Sequence, residues 1–191
     1  MCNLGKKCTD EGVIKKKLAL AQQTGTLIGI YNDKENTRAF FAGFICAMDN
    51  EFVLLAHVQS GGLYDGFILL ELSSIYRIEK NTLYLQKIER LYAFNNQHHL
   101  TFIQKTLPTV QETLSFAKEN SFVVSIQLLR SGYDDVIGIV KELEGEHLTI
   151  NELDEYGKSL GEVIVDIRTI TQIACDTEDE HPIGQLINLE K

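Results

Sequence analysis

Apolar positions along most of this chain come in short runs of alternating or continuous character, and in three places the spacing changes to that of a helix. The first change is near the start. Val13, Ile14, Leu18 and Ala21 recur at helical spacing around Lys15, Lys16 and Lys17, with Thr9 and Asp10 in position to cap. Runs rich in β-branched and aromatic residues follow at 26–31, 39–48, 52–58, 66–72 and 75–79, and they predict five short strands. Asn32 to Asn36, Asp49-Asn50 and Ser60-Gly61-Gly62 supply the turns between them. The second helical stretch opens at Pro108, a good first-turn residue, with Val110, Leu114 and Ala117 on one face. Strand-like runs resume after it, with turns at 130–134, 144–145 and 154–158. Between the two halves, Leu83, Ile88, Leu91 and Tyr92 have roughly helical spacing, whereas Pro182 and Gly184 argue against a helix over 175–188.

The same pattern occurs twice. Displacing the chain by 95 positions lays residues 39–92 over 134–187 without a gap. Gly43 then meets Gly138, Gly62 meets Gly157, Gly66 meets Gly161 and Glu51 meets Glu146. Apolar positions exchange conservatively, as in Val53/Leu148, Leu55/Ile150, Ile68/Val163 and Leu70/Val165. With one further residue of shift, Leu18, Ala21 and Ile30 fall on Leu114, Ala117 and Ile126. The chain reads as two copies of one unit, 1–95 and 96–191, each a helix followed by five strands. Glycine inside the second strand (Gly43, Gly138) predicts a sharp bend, and closing each bent sheet into a small barrel would remove its edges.

Composition adds a constraint that the pattern lacks. The 191 residues are 44% hydrophobic and 24% charged, as in a folded globular chain, with a net charge of −9. That charge is unevenly shared: 1–95 carry a net +1 and 96–191 a net −10. Any phosphate-facing surface is therefore expected in the first half, where Lys6, Lys7, Lys15, Lys16 and Lys17 are the candidate nucleic-acid contacts. In the second half Glu142, Glu144, Glu146, Glu152, Asp154 and Glu155 are the candidate surface for a protein partner. No apolar run approaches the roughly 20 residues needed to span a bilayer, so no membrane role is expected and the location reads as cytoplasmic. Cys2, Cys8, Cys46 and Cys175 lack the spacing of a zinc site and read as reduced thiols. No nucleophile elbow, P-loop, zinc-protease helix or dinucleotide fingerprint is present, and no catalytic, metal or cofactor residues are assigned.

The stretch from Ala42 to Leu55, with its strand glycine Gly43, turn residue Asp49 and apolar run at Phe52, resembles the first motif of the Sm-like (LSm) family. Residues 68–79, with the Leu72-Ser73-Ser74 step, resemble its second motif, and 137–150 with 163–173 occupy the same places in the second copy. The likeness covers about three quarters of the chain as a pattern, and other SH3-like barrels, such as PRC-type barrels, share it. It implies a mainly β fold of two tandem Sm-like/SH3-like five-stranded bent barrels. Family members that bind RNA use a polar residue after the turn Asp and Arg-Gly or Lys-His in the second motif. Val53, Leu148, Ser73-Ser74 and Arg168-Thr169 stand there instead, so that pocket does not carry over. Many members form rings by pairing strand four with strand five of a neighbour, and two units in one chain imply a pseudo-dimer or a ring of fewer chains. The expected role is a non-catalytic binding or regulatory module with a protein partner or self-association. The alternatives are an RNA-binding post-transcriptional regulator acting through the first unit, and an enzyme or ligand sensor with a pocket between the units.

Overall fold

A computed structural model of the chain describes residues 7–189, with side chains from residue 12 onward. Lys6 and Cys2 lie outside the described residues, as do the side chains of Lys7, Cys8, Thr9 and Asp10. Helix α1 (Lys7–Thr24) precedes β1 (Ile28–Tyr31), β2 (Phe41–Met48), β3 (Phe52–Val58), β4 (Tyr64–Glu71) and β5 (Arg77–Lys80). A single 3-10 turn, Leu72–Ser74, joins β4 to β5. Helix α2 (Leu83–Phe94) and helix α3 (Thr109–Glu119) come next. The second set follows in the same order: β6 (Val123–Leu128), β7 (Val136–Glu144), β8 (His147–Leu153), β9 (Ser159–Asp166), the 3-10 turn Ile167–Thr169, β10 (Ile170–Cys175) and α4 (Glu180–Leu189).

The repeat extends to single hydrogen bonds. Leu72 N donates to Glu51 O at 2.7 Å, and its counterpart Ile167 N donates to Glu146 O at 2.9 Å. Gly62 N donates to Gln59 O, and Gly157 N donates to Asp154 O in the matching hairpin. Gly43 and Gly138 are glycine for one reason: a Cβ would stand 2.4 Å from Ala56 O in the first case and 2.2 Å from Asn151 O in the second. The neighbouring strand passes too close for a side chain, as expected where a strand bends.

All ten strands form one antiparallel sheet in the order β5-β1-β2-β3-β4-β10-β6-β7-β8-β9. The expected closure of each five-stranded set is not what forms. The outer edge of β4 is taken by β10, in the register Leu70↔Gln172 to Phe67↔Cys175, so β4 has no edge left to offer β5. The sheet stays open, and among the described residues β5 pairs with β1 alone and β9 with β8 alone.

Two apolar layers hold this arrangement. Leu18 and Ala21 of α1 pack on Ile30, Ile45, Val53, Leu55, Ile68 and Leu70, one face of the first set. The larger core gathers Val110, Leu114 and Ala117 of α3, the matching face of the second set, and Ala47, Phe52, Leu54, Ala56, Phe67 and Leu69 from the opposite face of the first. Helix α2 forms as its spacing predicts, with Thr82 Oγ1 accepting from Leu85 N at 3.2 Å. It packs Leu85 and Ile88 against Leu27, Ala42 and Val58 of the first set.

Two local expectations are corrected. Thr9 and Asp10 lie inside α1, which already begins at Lys7. Helix α4 forms despite Pro182 and Gly184. Pro182 falls in its first turn, where N–H groups lack intrahelical acceptors anyway. Glu180 accepts from Thr177 N at 3.0 Å and so secures the helix start.

Candidate functional site

The place where the two repeats meet shows what a strand edge of this unit is built to accept. Leu69 and Ile173, opposite one another across β4 and β10, are wholly buried. Gly66 permits the approach: its φ is +61°, and a Cβ would stand 2.2 Å from Cys175 O. Just beyond β10, Asp176 adopts a φ of 56° and accepts from the Tyr64 hydroxyl at 2.7 Å. Arg130 clamps Glu71 with two bonds, Nε to Oε2 at 2.9 Å and Nη2 to Oε1 at 2.6 Å. Burial pushes the Glu71 carboxyl up, but the Arg130 and Ser73 donors outweigh it and hold the group below its ordinary value.

Two hollows flank this joint. The larger, about 830 Å³, lies among Lys15, Glu51, Glu71, Glu146 and Arg168 over an apolar floor that includes Ile14, Leu72, Val110 and Ile167. Its charged side chains are largely engaged. Lys15 Nζ donates to Asn50 Oδ1 at 2.5 Å, and Arg168 pairs with Glu146 at 2.9 Å and Asp166 at 2.6 Å. Three carboxylates face two cations there, a poor lining for a phosphate chain. The smaller hollow, about 260 Å³, is lined by Phe40, Tyr84, Ser60, His57, Asp65 and Glu178. His57 Nδ1 lies 2.9 Å from Asp65 Oδ2, while Asp65 Oδ1 accepts from Glu178 N at 2.7 Å. Burial raises the Asp65 pKa, and His57 with that N–H more than reverses it, leaving the carboxyl ionised below its ordinary range. Oδ1 thus ties the loop after β10 to the first repeat, while Oδ2 is held by His57 of β3.

On the opposite side of the second repeat, β9 is the counterpart of β4, and among the described residues no strand pairs with its outer edge. Ile164 occupies the place of Leu69 and is 70% exposed, and Leu160 occupies that of Asp65 and is 63% exposed. Gly161 corresponds to Gly66, yet nothing lies within 4 Å of where its Cβ would be. An edge strand with exposed apolar side chains is a template for another strand.

The sequence-chosen residues distribute as follows. Lys16 and Lys17 are exposed on α1, and Lys15 is turned toward the β2–β3 hairpin. The acidic set does not form one patch. Glu142, Glu144 and Glu146 flank the β7–β8 hairpin, whereas Glu152, Asp154 and Glu155 lie at the far end of β8, roughly 20 Å of strand away. Asp154 is further committed to its own turn, accepting from Tyr156 N at 3.0 Å and Lys158 N at 2.8 Å. Sequence reasoning missed the His57–Asp65 tie, because neither residue has a like counterpart in the second repeat (Glu152 and Leu160 stand there). It also missed that the outer edge of β9 is bare, although the pair Asp65/Leu160 carried the signal: a polar residue became apolar at a strand end.

Among the described residues, no helix is long and apolar enough to cross a membrane. Comparison with family models, with curated proteins and with solved structures found no match to the chain.

Proposed function

We propose that the chain is a non-catalytic binding or regulatory module built from two tandem Sm-like (SH3-like) five-stranded units, each preceded by a helix. Its working surface is the β9 edge, which takes a β-strand from a protein partner. The strand order supports the tandem reading, since β10-β6-β7-β8-β9 repeats β5-β1-β2-β3-β4 five strands later. One observation carries the functional reading. Ile164 is 70% exposed where its counterpart Leu69 is 0% exposed, so one strand edge of the unit is covered and its twin is bare.

A photo-cross-linking residue at position 160 is the test. In native extract it should give a discrete protein adduct that Ile164→Asp abolishes, while the same probe at exposed Leu129 gives none. Loss of the difference between the two positions would contradict the reading. The RNA alternative draws support from Lys16 and Lys17, which face solvent. Retention on immobilised RNA at low salt, lost in Lys16→Glu/Lys17→Glu, would replace a protein partner with RNA.

A further inference from the structure

We infer that the smaller hollow, between the β3–β4 hairpin and the start of α2, binds a small organic cation, the ammonium or guanidinium end of a short chain. The hollow belongs to the first repeat and does not depend on the β9 edge.

The second repeat shows that the fold does not require this lining. Phe40, His57, Asp65 and Tyr84 have Asp135, Glu152, Leu160 and Asp179 as their counterparts. Both repeats form the same five strands and a following helix with either set in place. Strand pairing and helix packing therefore do not demand two aromatic rings, a histidine and an aspartate at these positions. The apolar floor, by contrast, is kept, as in Val58/Leu153 and Ile88/Ile183. The four departures come from the residue before β2, from β3, from β4 and from α2. They converge on one cavity of about 260 Å³. Drift at four unrelated positions gives them no reason to meet.

The polar groups there mostly accept. Asp65 is 4% exposed, and its Oδ2 lies 2.9 Å from His57 Nδ1. With the Nδ1 proton turned to Asp65, His57 Nε2 is left as an acceptor. Glu178 Oε2 accepts from Gln59 Nε2 at 2.9 Å, and its other oxygen stays open to a further donor. None of the residues lining the hollow is Lys or Arg. Two carboxylates and a ring nitrogen without a lining cation call for a ligand that is positive and rich in N–H donors. The aromatic walls favour the same charge. Tyr84 already draws Lys87 Nζ to 5.4 Å from its ring centroid, although Lys87 does not line the hollow. These walls are set in advance. Phe40 stacks on Tyr31 with centroids 5.0 Å apart and meets Tyr84 edge-on at 5.9 Å. Gly29 leaves room for the Phe40 ring, which a Cβ would approach to 3.0 Å. The volume falls below the ~300 Å³ at which drug-sized sites begin, so the ligand group has only a few heavy atoms.

Nuclear magnetic resonance of the full chain tests this at neutral pH, where an alkyl ammonium is protonated. The probes are n-butylammonium and n-butylguanidinium, with n-butanol and butyrate as neutral and anionic matches. At least one cation should shift the His57 and Tyr84 ring signals with a midpoint below about 5 mM, and the two matches should bind at least ~10-fold more weakly. Glu178→Gln removes a charge and keeps the backbone N–H that Asp65 accepts, and Tyr84→Leu keeps apolar bulk. Each should weaken the cation at least ~3-fold. A capped tripeptide with a central Lys or Arg separates two sources of the group. Peptide binding as tight as that of the free cation assigns it to a side chain of a protein partner, and exclusion of the peptide assigns it to a free amine or guanidine. Absence of any cation-induced shift up to about 20 mM would overturn the inference, and so would butanol binding as well as the cations. Cation binding unchanged in both variants would overturn it too. The comparison of cation with butanol uses the wild type alone and stands whatever the variants do to folding.

Discussion

Gly66 and Gly161 are the same residue in the same position of two repeats, and their surroundings could hardly differ more. At Gly66 the φ of +61° combines with a backbone carbonyl 2.2 Å from any Cβ, and at Gly161 a φ of +126° combines with open space. Alanine at position 161 pays only for backbone strain, about 1 kcal/mol, whereas alanine at 66 must also push β10 away from β4. Gly66→Ala should therefore lower the unfolding free energy by about 3 kcal/mol or more in chemical denaturation, and Gly161→Ala by about a third of that. Equal losses would mean that β4 and β10 do not pair as described. In the sequence the two glycines were visible only as a repeated pair. Which of them touched a neighbour was not, because that depends on which strand edge the other repeat covers.

At the scale of elements, the helices and strands were largely legible, because each repeat supplies two readings of one pattern. The ends of strands were less so: β4 begins at Tyr64 rather than Gly66, since the hairpin tolerates pairing right up to its turn. Helix α4 was misjudged from Pro182 and Gly184, for the position of a proline within a helix matters more than its presence. Helix α3 illustrates how one residue couples elements. Asp49 Oδ1 accepts from Glu51 N and Phe52 N, each at 2.8 Å, while Oδ2 accepts from Thr109 N at the start of α3. Burial pushes the Asp49 carboxyl up, and the three N–H donors outweigh it, so its pKa is held below the ordinary 3.8. A carboxyl with a lowered folded-state pKa contributes stability above its unfolded value and loses it as pH falls through the folded one. The chain should accordingly lose stability below about pH 4, and Asp49→Asn should flatten that acid limb while costing about 1–2 kcal/mol at pH 7. Denaturation midpoints measured from pH 7 to pH 2 check both. An acid limb unchanged in the variant would remove Asp49 from the joint's energetics.

For the whole molecule, the repeat made the fold class readable, and the closure of each unit was the part that pattern could not decide. Alternation shows which faces are buried. It does not show whether an edge meets its own sheet or a neighbour's. The charge asymmetry, +1 against −10, pointed to separate partners for the two halves. The central claim is that β9 is the bare counterpart of the buried β4. Hydrogen exchange followed by mass spectrometry measures this directly on peptides covering 64–71 and 159–166. In dilute solution the β9 peptide should exchange well ahead of the β4 peptide. Equal protection of the two strands in the dilute chain would show that β9 is already covered, and would contradict the account.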